Sequence, residues 1–313
     1  RLRLLFLLAP FFLGPALLCS QEPPLHVVTS FTIPADWANA IGGTHVQVSS
    51  LLPVNADLHA YHPTPSDIAK LNKSSTIIGI SPTLEHWLPA LLSAPSLQGK
   101  TLYLGQNLLP KNAAPFCESS THSHAPDPAH MTEAARAISD PHLWMDPLQV
   151  IPMTQLLAEK FAAADPAHAA VYRANAAAYQ KELKALDQWA RQTLSAIPPE
   201  RRILISNHDN LRRLAARYNL TIPDTLLSGS SPETADASAG KISALIQRAK
   251  QSKTPIFYDN TLNNKLALTV SQEAGLPPPV LLYTDALTAP PHPASTYLGL
   301  YRENIRRIAA ALQ

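Results

Sequence analysis

Two cysteines in 313 residues, Cys19 and Cys117, leave sulfur little to do. If Cys19 is removed or acylated, no internal disulfide is possible, so stability must come from the core. A zinc site built on two cysteines is excluded as well, which leaves His, Asp and Glu as metal donors. Charge of one sign is equally lacking. The 25 Lys and Arg against 23 Asp and Glu give a formal net charge of only +2, spread along the chain, so there is no electrostatic footprint for nucleic acid. Neither a Walker nor a Rossmann glycine pattern occurs among the 10 glycines, so the chain does not itself hydrolyse ATP or bind NAD, and H-E-x-x-H is absent too. The opening "RLRLLFLLAPFFLGPALLCSQ" places an apolar stretch of about fifteen residues after Arg1 and Arg3, too short to span a bilayer and shaped like a secretory leader. A leader over residues 1–20 is therefore expected, and with it export. Cys19 stands where a bacterial lipoprotein carries its acylated cysteine, but Leu18 before it is larger than the usual small residue. Lipid anchoring and simple cleavage both stay open.

What the chain does have is apolar content, 46% of its residues, enough for a sizeable core and two lobes. From His26 onward, short β-rich runs alternate with helical patterns. They are "HVVTSF", "HVQVSSLL", "STIIGIS" and "KTLYLG" in the first half, then "RRILIS", "TPIFYD" and "PVLLY" in the second. That alternation predicts an α/β fold of two lobes, each a mostly parallel sheet with flanking helices. Between the halves, no glycine or proline falls from Ala167 to Ile197; Asp165-Pro166 precedes this stretch and Pro198-Pro199 follows it. It reads as one long rigid helix of roughly 45 Å that joins the lobes. The expected division is 26–166 for the N-terminal lobe, 167–197 for the linking helix and 198–313 for the C-terminal lobe. The stretch from Cys117 to Asp140 lacks periodicity until Met131 and reads as a surface loop carrying His122, His124 and His130.

Four short stretches carry metal-ligating residue types. In "NADLHAYHPTPSD", Thr64, Pro65 and Asp67 form a helix start with a pattern like a capping box, so His59 and His62 lie in a strand-to-helix loop. Such loops line the ligand crevice of open α/β sheets. For either histidine alone, facing solvent is the competing reading. In "DPHLWMDP", Pro141 extends Asp140 and Asp146-Pro147 starts a helix, which fixes His142 between two stiff turns, as a ligand or as packing beside Trp144. Pro152 then predicts a kink early in that helix. In "ILISNHDNLRRLAARY", His208 follows an apolar strand, Asp209 reads as the cap of the next helix, and Leu211, Leu214, Ala215 and Tyr218 share its apolar face. In "PVLLYTDALTAPP", Asp285 directly follows a strand, as ligand or turn residue, and Asp259 after "TPIFY" is a similar candidate. Three of the four stretches follow strands, and all four would face one cleft between the lobes. Three imidazoles and one carboxylate suit tetrahedral zinc better than magnesium or calcium; a second carboxylate would favour manganese.

The same stretches resemble, in order and over nearly the whole chain after the leader, the zinc and manganese ABC-transporter solute-binding proteins. "DLHAYHPTPSD" is similar to that family's first ligand motif, with the ligand at His59 and His62 in place of the usual Glu. "DPHLWMDP" is nearly identical to the second motif, with the ligand at His142. "SNHDNLRRLAARYNL" resembles the third, with His208 where manganese-preferring members tend to have Glu. "YTDALTAPPHPASTYLGLYRENIRRIA" resembles the last, with Asp285, and "DPAHAAVYRANAAAYQKEL" the family's backbone helix. Leu58 for the usual Pro, and Asn207 before the His208 motif, are departures. The His122, His124 and His130 loop sits where zinc-type members carry a histidine-rich insert.

The resemblance implies a non-enzymatic, monomeric, periplasmic or otherwise extracytoplasmic protein, which captures Zn2+ through His59, His142, His208 and Asp285 and delivers it to an ABC-transporter permease. The same role for Mn2+ or Fe2+, a secreted zinc hydrolase with Asp285 as base, and a surface protein with a purely structural metal are the alternatives. Trp87 and Trp144 read as core and cleft-wall residues.

Overall fold

The computed structural model describes residues 23–109, 132–223, 225–227 and 239–313. The expected leader, Cys19, Cys117 and the histidines at 122, 124 and 130 lie outside them. Among the described residues, no helix is long and apolar enough to cross a membrane.

Every β-rich run of the sequence supplies a strand. In the first lobe these are β1 (Leu25–Thr29), β2 (Val46–Ser50), β3 (Thr76–Gly79) and β4 (Thr101–Tyr103), all parallel, in the order β2-β1-β3-β4. In the second they are β5 (Ile205–Ser206), β6 (Ile256–Asp259) and β7 (Val280–Leu282), also parallel, in the order β5-β6-β7. β5 is shorter than its apolar run, because Ile203 meets only Thr221 in an isolated bridge. Parallel neighbours require crossovers, and helices supply them: α1 (Thr32–Gly42), α2 (Pro65–Lys73) and α3 (Leu88–Leu92) in the first lobe. After β1 the chain goes to one side of it for β2 and to the other for β3, a change of direction that opens a crevice at the carboxyl ends of the strands.

The connection between the lobes is helical. α4 (Glu133–Ser139) leads through a tight turn at Leu143–Met145 into α5 (Pro147–Ala164), which runs on through Pro152 without a break. α6 (Ala169–Ser195) then spans 27 residues, roughly 40 Å, preceded by a single 3-10 turn at Pro166–His168. It packs against α1 and α5 on the first-lobe side and α10 (Tyr297–Leu312) on the other. α7 (Arg212–Tyr218), α8 (Ala239–Ser252) and α9 (Lys265–Glu273) complete the second lobe.

One continuous apolar cluster runs from β1 and α1 through Trp144, Phe161, Tyr172 and Leu183 to Tyr297, Tyr301 and Ile305, so α6 is part of a core shared by both lobes. A separate small cluster, including Ile205, Leu245, Ile256 and Val270, joins the second sheet to α8 and α9. Trp87 and Trp144 are buried core residues, and the indole N–H of Trp144 reaches across to donate to the Thr284 carbonyl at 2.6 Å.

Candidate metal centre

Each of the four stretches is held by turn chemistry that is local to it. Thr64 caps α2 as its sequence predicts, with the Asp67 carboxylate accepting from the Thr64 N–H at 2.8 Å. Upstream, Leu58 is fully buried, and its carbonyl accepts the Trp87 indole N–H at 3.2 Å. Asp57 Oδ1 accepts the His59 backbone N–H at 2.8 Å, so the loop turns His59 inward, where it is buried, while His62 stays exposed.

His142 is fixed more tightly. Asp140 Oδ1 accepts both the His142 backbone N–H at 2.9 Å and the ring Nδ1–H at 2.6 Å. With its proton engaged on Nδ1, the ring turns Nε2 to the interior. On the other side of the turn, Asp146 caps α5 by accepting the Leu148 N–H at 2.9 Å. His208 lies two residues after β5, in a loop held by the Ser206 hydroxyl, which donates to the His208 carbonyl at 2.8 Å. Asp285 lies three residues after β7, next to the Thr284 carbonyl that Trp144 engages.

These supports bring His59, His142, His208 and Asp285 to one place, all buried, with one donor atom from each lying within 4.8 Å of the others. The Nε2 atoms of His59 and His142 are 3.2 Å apart. His208 Nδ1 stands 3.4 Å and His59 Nε2 3.8 Å from Asp285 Oδ2, and His142 Nε2 is 4.0 Å from Asp285 Oδ1. A tetrahedral zinc with bonds of about 2.0–2.1 Å needs donor-to-donor edges of roughly 3.3–3.4 Å, so small shifts close the group on one ion. Neither ring nitrogen of His208 nor Asp285 Oδ1 has a hydrogen-bond partner, although all are buried. Buried polar atoms of that kind require a ligand or a strained alternative.

The electrostatics divide between the two sides. Burial opposes a charge on His208, but the Asp285 carboxylate beside it, with Asp259 and Asp209 behind, overrides burial and raises the imidazole to about 9. Burial and the charge on His208 drive His59 well below its ordinary range, outweighing Asp285. Burial works against an ionised Asp285 too, and the surrounding imidazoles, His208 first, more than reverse it, so its carboxyl stays well below the usual range. Both shifts favour a charged pair in the metal-free site, Asp285 with His208.

Several sequence expectations are corrected or extended here. Asp209 does not cap a helix: its carboxylate pairs with Arg212 at 2.6 Å, and α7 begins after Leu211 without a side-chain cap. His62 lies outside the group. Asp259 is buried but outside the group, its Oδ1 accepting the Thr261 N–H at 2.6 Å and hydroxyl at 2.7 Å in a local turn. Burial and the charge of Asp285 push its carboxyl up to about 7. Asn207 serves that turn, its Oδ1 accepting the Asp259 N–H at 3.1 Å. Three further contributors are not among the sequence candidates for the site. Asp140 orients His142, Asn210 touches Asp259 and Asp285, and Arg213 donates to the Asp140 carbonyl at 2.6 Å and the Ile138 carbonyl at 2.9 Å. Only the D-P-H spacing could have pointed to the first of them.

Comparison with known proteins extends over nearly the whole chain. Residues 27–311 match the family described as zinc-uptake complex component A, periplasmic. The iron-binding protein YfeA of Yersinia pestis is 30% identical over 285 residues, 90% of this chain and 85% of its own. The manganese-binding lipoprotein MntA of Halalkalibacterium halodurans is 26% identical over 289 residues, 92% of this chain and 88% of its own. Among solved structures, the periplasmic zinc-binding protein TroA of Treponema pallidum superposes with a TM-score of 0.76 at 23% identity, covering 93% of this chain and 99% of that one.

Proposed function

Since this chain belongs to the family of periplasmic components of zinc-uptake complexes, the metal-binding solute-binding proteins of ABC transporters, we propose that it works outside the cytoplasm and captures Zn2+ between its lobes for delivery to a membrane permease. Proteins of this family are carriers rather than enzymes. His59, His142, His208 and Asp285 would hold the ion, and no bond of a substrate is made or broken.

The donor set carries the zinc reading: three imidazoles and one carboxylate, all buried, with one donor atom from each within 4.8 Å of the others. A hydrolytic zinc would keep a water in its fourth position and leave a substrate an approach to it. Four buried side chains around one centre favour cargo instead. Since α6 packs against helices of both lobes, opening by a wide hinge is disfavoured. Release then requires the permease to displace the donors. An iron- or manganese-carrying role is the second reading, favoured by the relatives named for those metals.

Metal analysis of the stripped and reloaded protein, with competition between Zn2+ and Mn2+, tests this. One Zn2+ per chain and a preference for Zn2+ are expected. His142→Ala and His208→Ala should each weaken binding by more than about 100-fold, beyond what outer-shell changes cost. A wild-type protein that takes up no divalent ion, or variants that bind as tightly as wild type, would end the reading; a preference for Mn2+ or Fe2+ would select the second one.

A further inference from the structure

A carboxylate can meet a metal with one oxygen or two, and a second carboxylate nearby can join it. Both choices raise the coordination number and move a site from zinc toward manganese, which accepts more oxygen donors than tetrahedral zinc. Here two buried carboxylates, Asp285 and Asp259, stand on neighbouring strand ends, yet only Asp285 belongs to the convergent group.

The side chain between them is Asn210, buried and one turn of loop beyond His208. Its Nδ2 lies 3.0 Å from Asp259 Oδ2, 3.2 Å from Asp285 Oδ2 and 2.7 Å from the Thr284 hydroxyl. An amide nitrogen has two N–H donors, so it serves these three acceptors by sharing one of them. Asp259 is thereby engaged at both oxygens, since Thr261 already occupies Oδ1. Asp285 is engaged at Oδ2, while Oδ1 has no partner.

We infer that Asn210 is a specificity-determining positioning residue: its amide holds one oxygen of Asp285 and withholds Asp259, which limits the centre to three nitrogens and one oxygen and so favours Zn2+ over Mn2+. The inference rests on the reading that His59, His142, His208 and Asp285 hold the ion. Asn210 touches no ion itself. It acts through the two carboxylates, and a polar partner of that kind is needed where two buried acids approach each other.

The experiment measures Zn2+ and Mn2+ dissociation constants by competition for wild type, Asn210→Ala and Asn210→Ser, together with the metal coordination number by X-ray absorption and the thermal stability of each metal-free protein. For Asn210→Ala, the ratio of Zn2+ to Mn2+ affinity should fall by about tenfold or more, the lower end of what outer-shell partners contribute. The number of oxygen donors around the ion should rise with it. Asn210→Ser retains a hydroxyl donor and should recover part of the ratio; it also serves if the alanine variant does not fold. Equal losses for both metals with unchanged coordination would reduce Asn210 to a structural role and overturn the inference. Failure of the wild type to bind either ion would instead strike the proposed function, so the two failures are separable.

Discussion

The two halves of the candidate centre are prepared in opposite ways. On the first-lobe side, His142 is locked by Asp140 with its ring proton engaged on Nδ1, and His59 is held neutral by burial and by the charge of His208. On that side the Nε2 atoms of the two rings stand 3.2 Å apart. On the second-lobe side, Asp285 raises the His208 imidazole to about 9, which favours its protonated form, and Asp285 is further tied to Asn210. That half is stable as an ion pair and must lose a proton before it can bind. One lobe offers a preorganised surface for the ion, and the other exchanges a proton for it.

The sharpest way to break this comparison is pH. With His208 raised to about 9 in the metal-free protein, binding an ion near neutrality displaces about one proton, and affinity should fall roughly tenfold per unit as pH drops from about 8.5 to 7. Calorimetry in buffers of different ionisation enthalpy measures the proton count; a count of zero at pH 7.5 would show that His208 is neutral. The metal-free protein's own stability carries the same signature. A folded-state pKa above the unfolded value of about 6.5 gives stability that is complete below 6.5 and lost as pH rises through about 9. His59 acts in the other direction: its lowered pKa costs stability as pH falls below about 6.5, where the unfolded chain takes up the proton. Asp259, raised to about 7, gives stability that is lost as pH rises through about 7 and so offsets the His59 gain. Unfolding midpoints of the stripped protein should therefore change little from pH 5 to about 6.5 and fall from there through about pH 9.

Next in size is the locked half. Asp140→Ala removes the acceptor that fixes the His142 ring, and zinc affinity should fall about 10- to 100-fold, the usual range for an outer-shell carboxylate. Asp140→Asn keeps an oxygen acceptor for Nδ1–H and should lose less. If the alanine variant binds zinc as well as wild type, His142 is held by packing beside Trp144 and not by the carboxylate. The smallest expected effect concerns how the halves are joined. Arg213, on α7 of the second lobe, donates to the Asp140 and Ile138 carbonyls of the first. Arg213→Met keeps most of the stem and loses both bonds, which should cost about 1–2 kcal/mol of stability in urea unfolding and speed metal release. Unchanged release with reduced stability would confine Arg213 to folding.

What could be read in advance follows the range of the interactions. Seven strands and their parallel class were legible because each run is a local apolar pattern bounded by turn residues. The Thr64, Pro65, Asp67 start of α2 and the Asp146-Pro147 start of α5 were legible for the same reason. Asp209 misled because a cap and an ion pair use the same oxygens, and Arg212 three residues on competes for them. The Asn210 node joins residues 49, 74 and 75 positions apart, and Arg213 reaches Asp140 across 73, separations at which no spacing rule operates.

Local patterning by itself determined the alternation of strands and helices, the linking helix without glycine or proline, and the four loop stretches that carry metal-ligating residue types, because those properties arise between residues close in the chain. Tertiary structure alone decided that the four side chains converge, that Asp259 stays outside their group while Asp285 belongs to it, and that one histidine has its pKa raised while another has it lowered. Protonation and donor number depend on distances of a few ångströms between groups from different elements, and only the packing of the two lobes on α6 sets those distances.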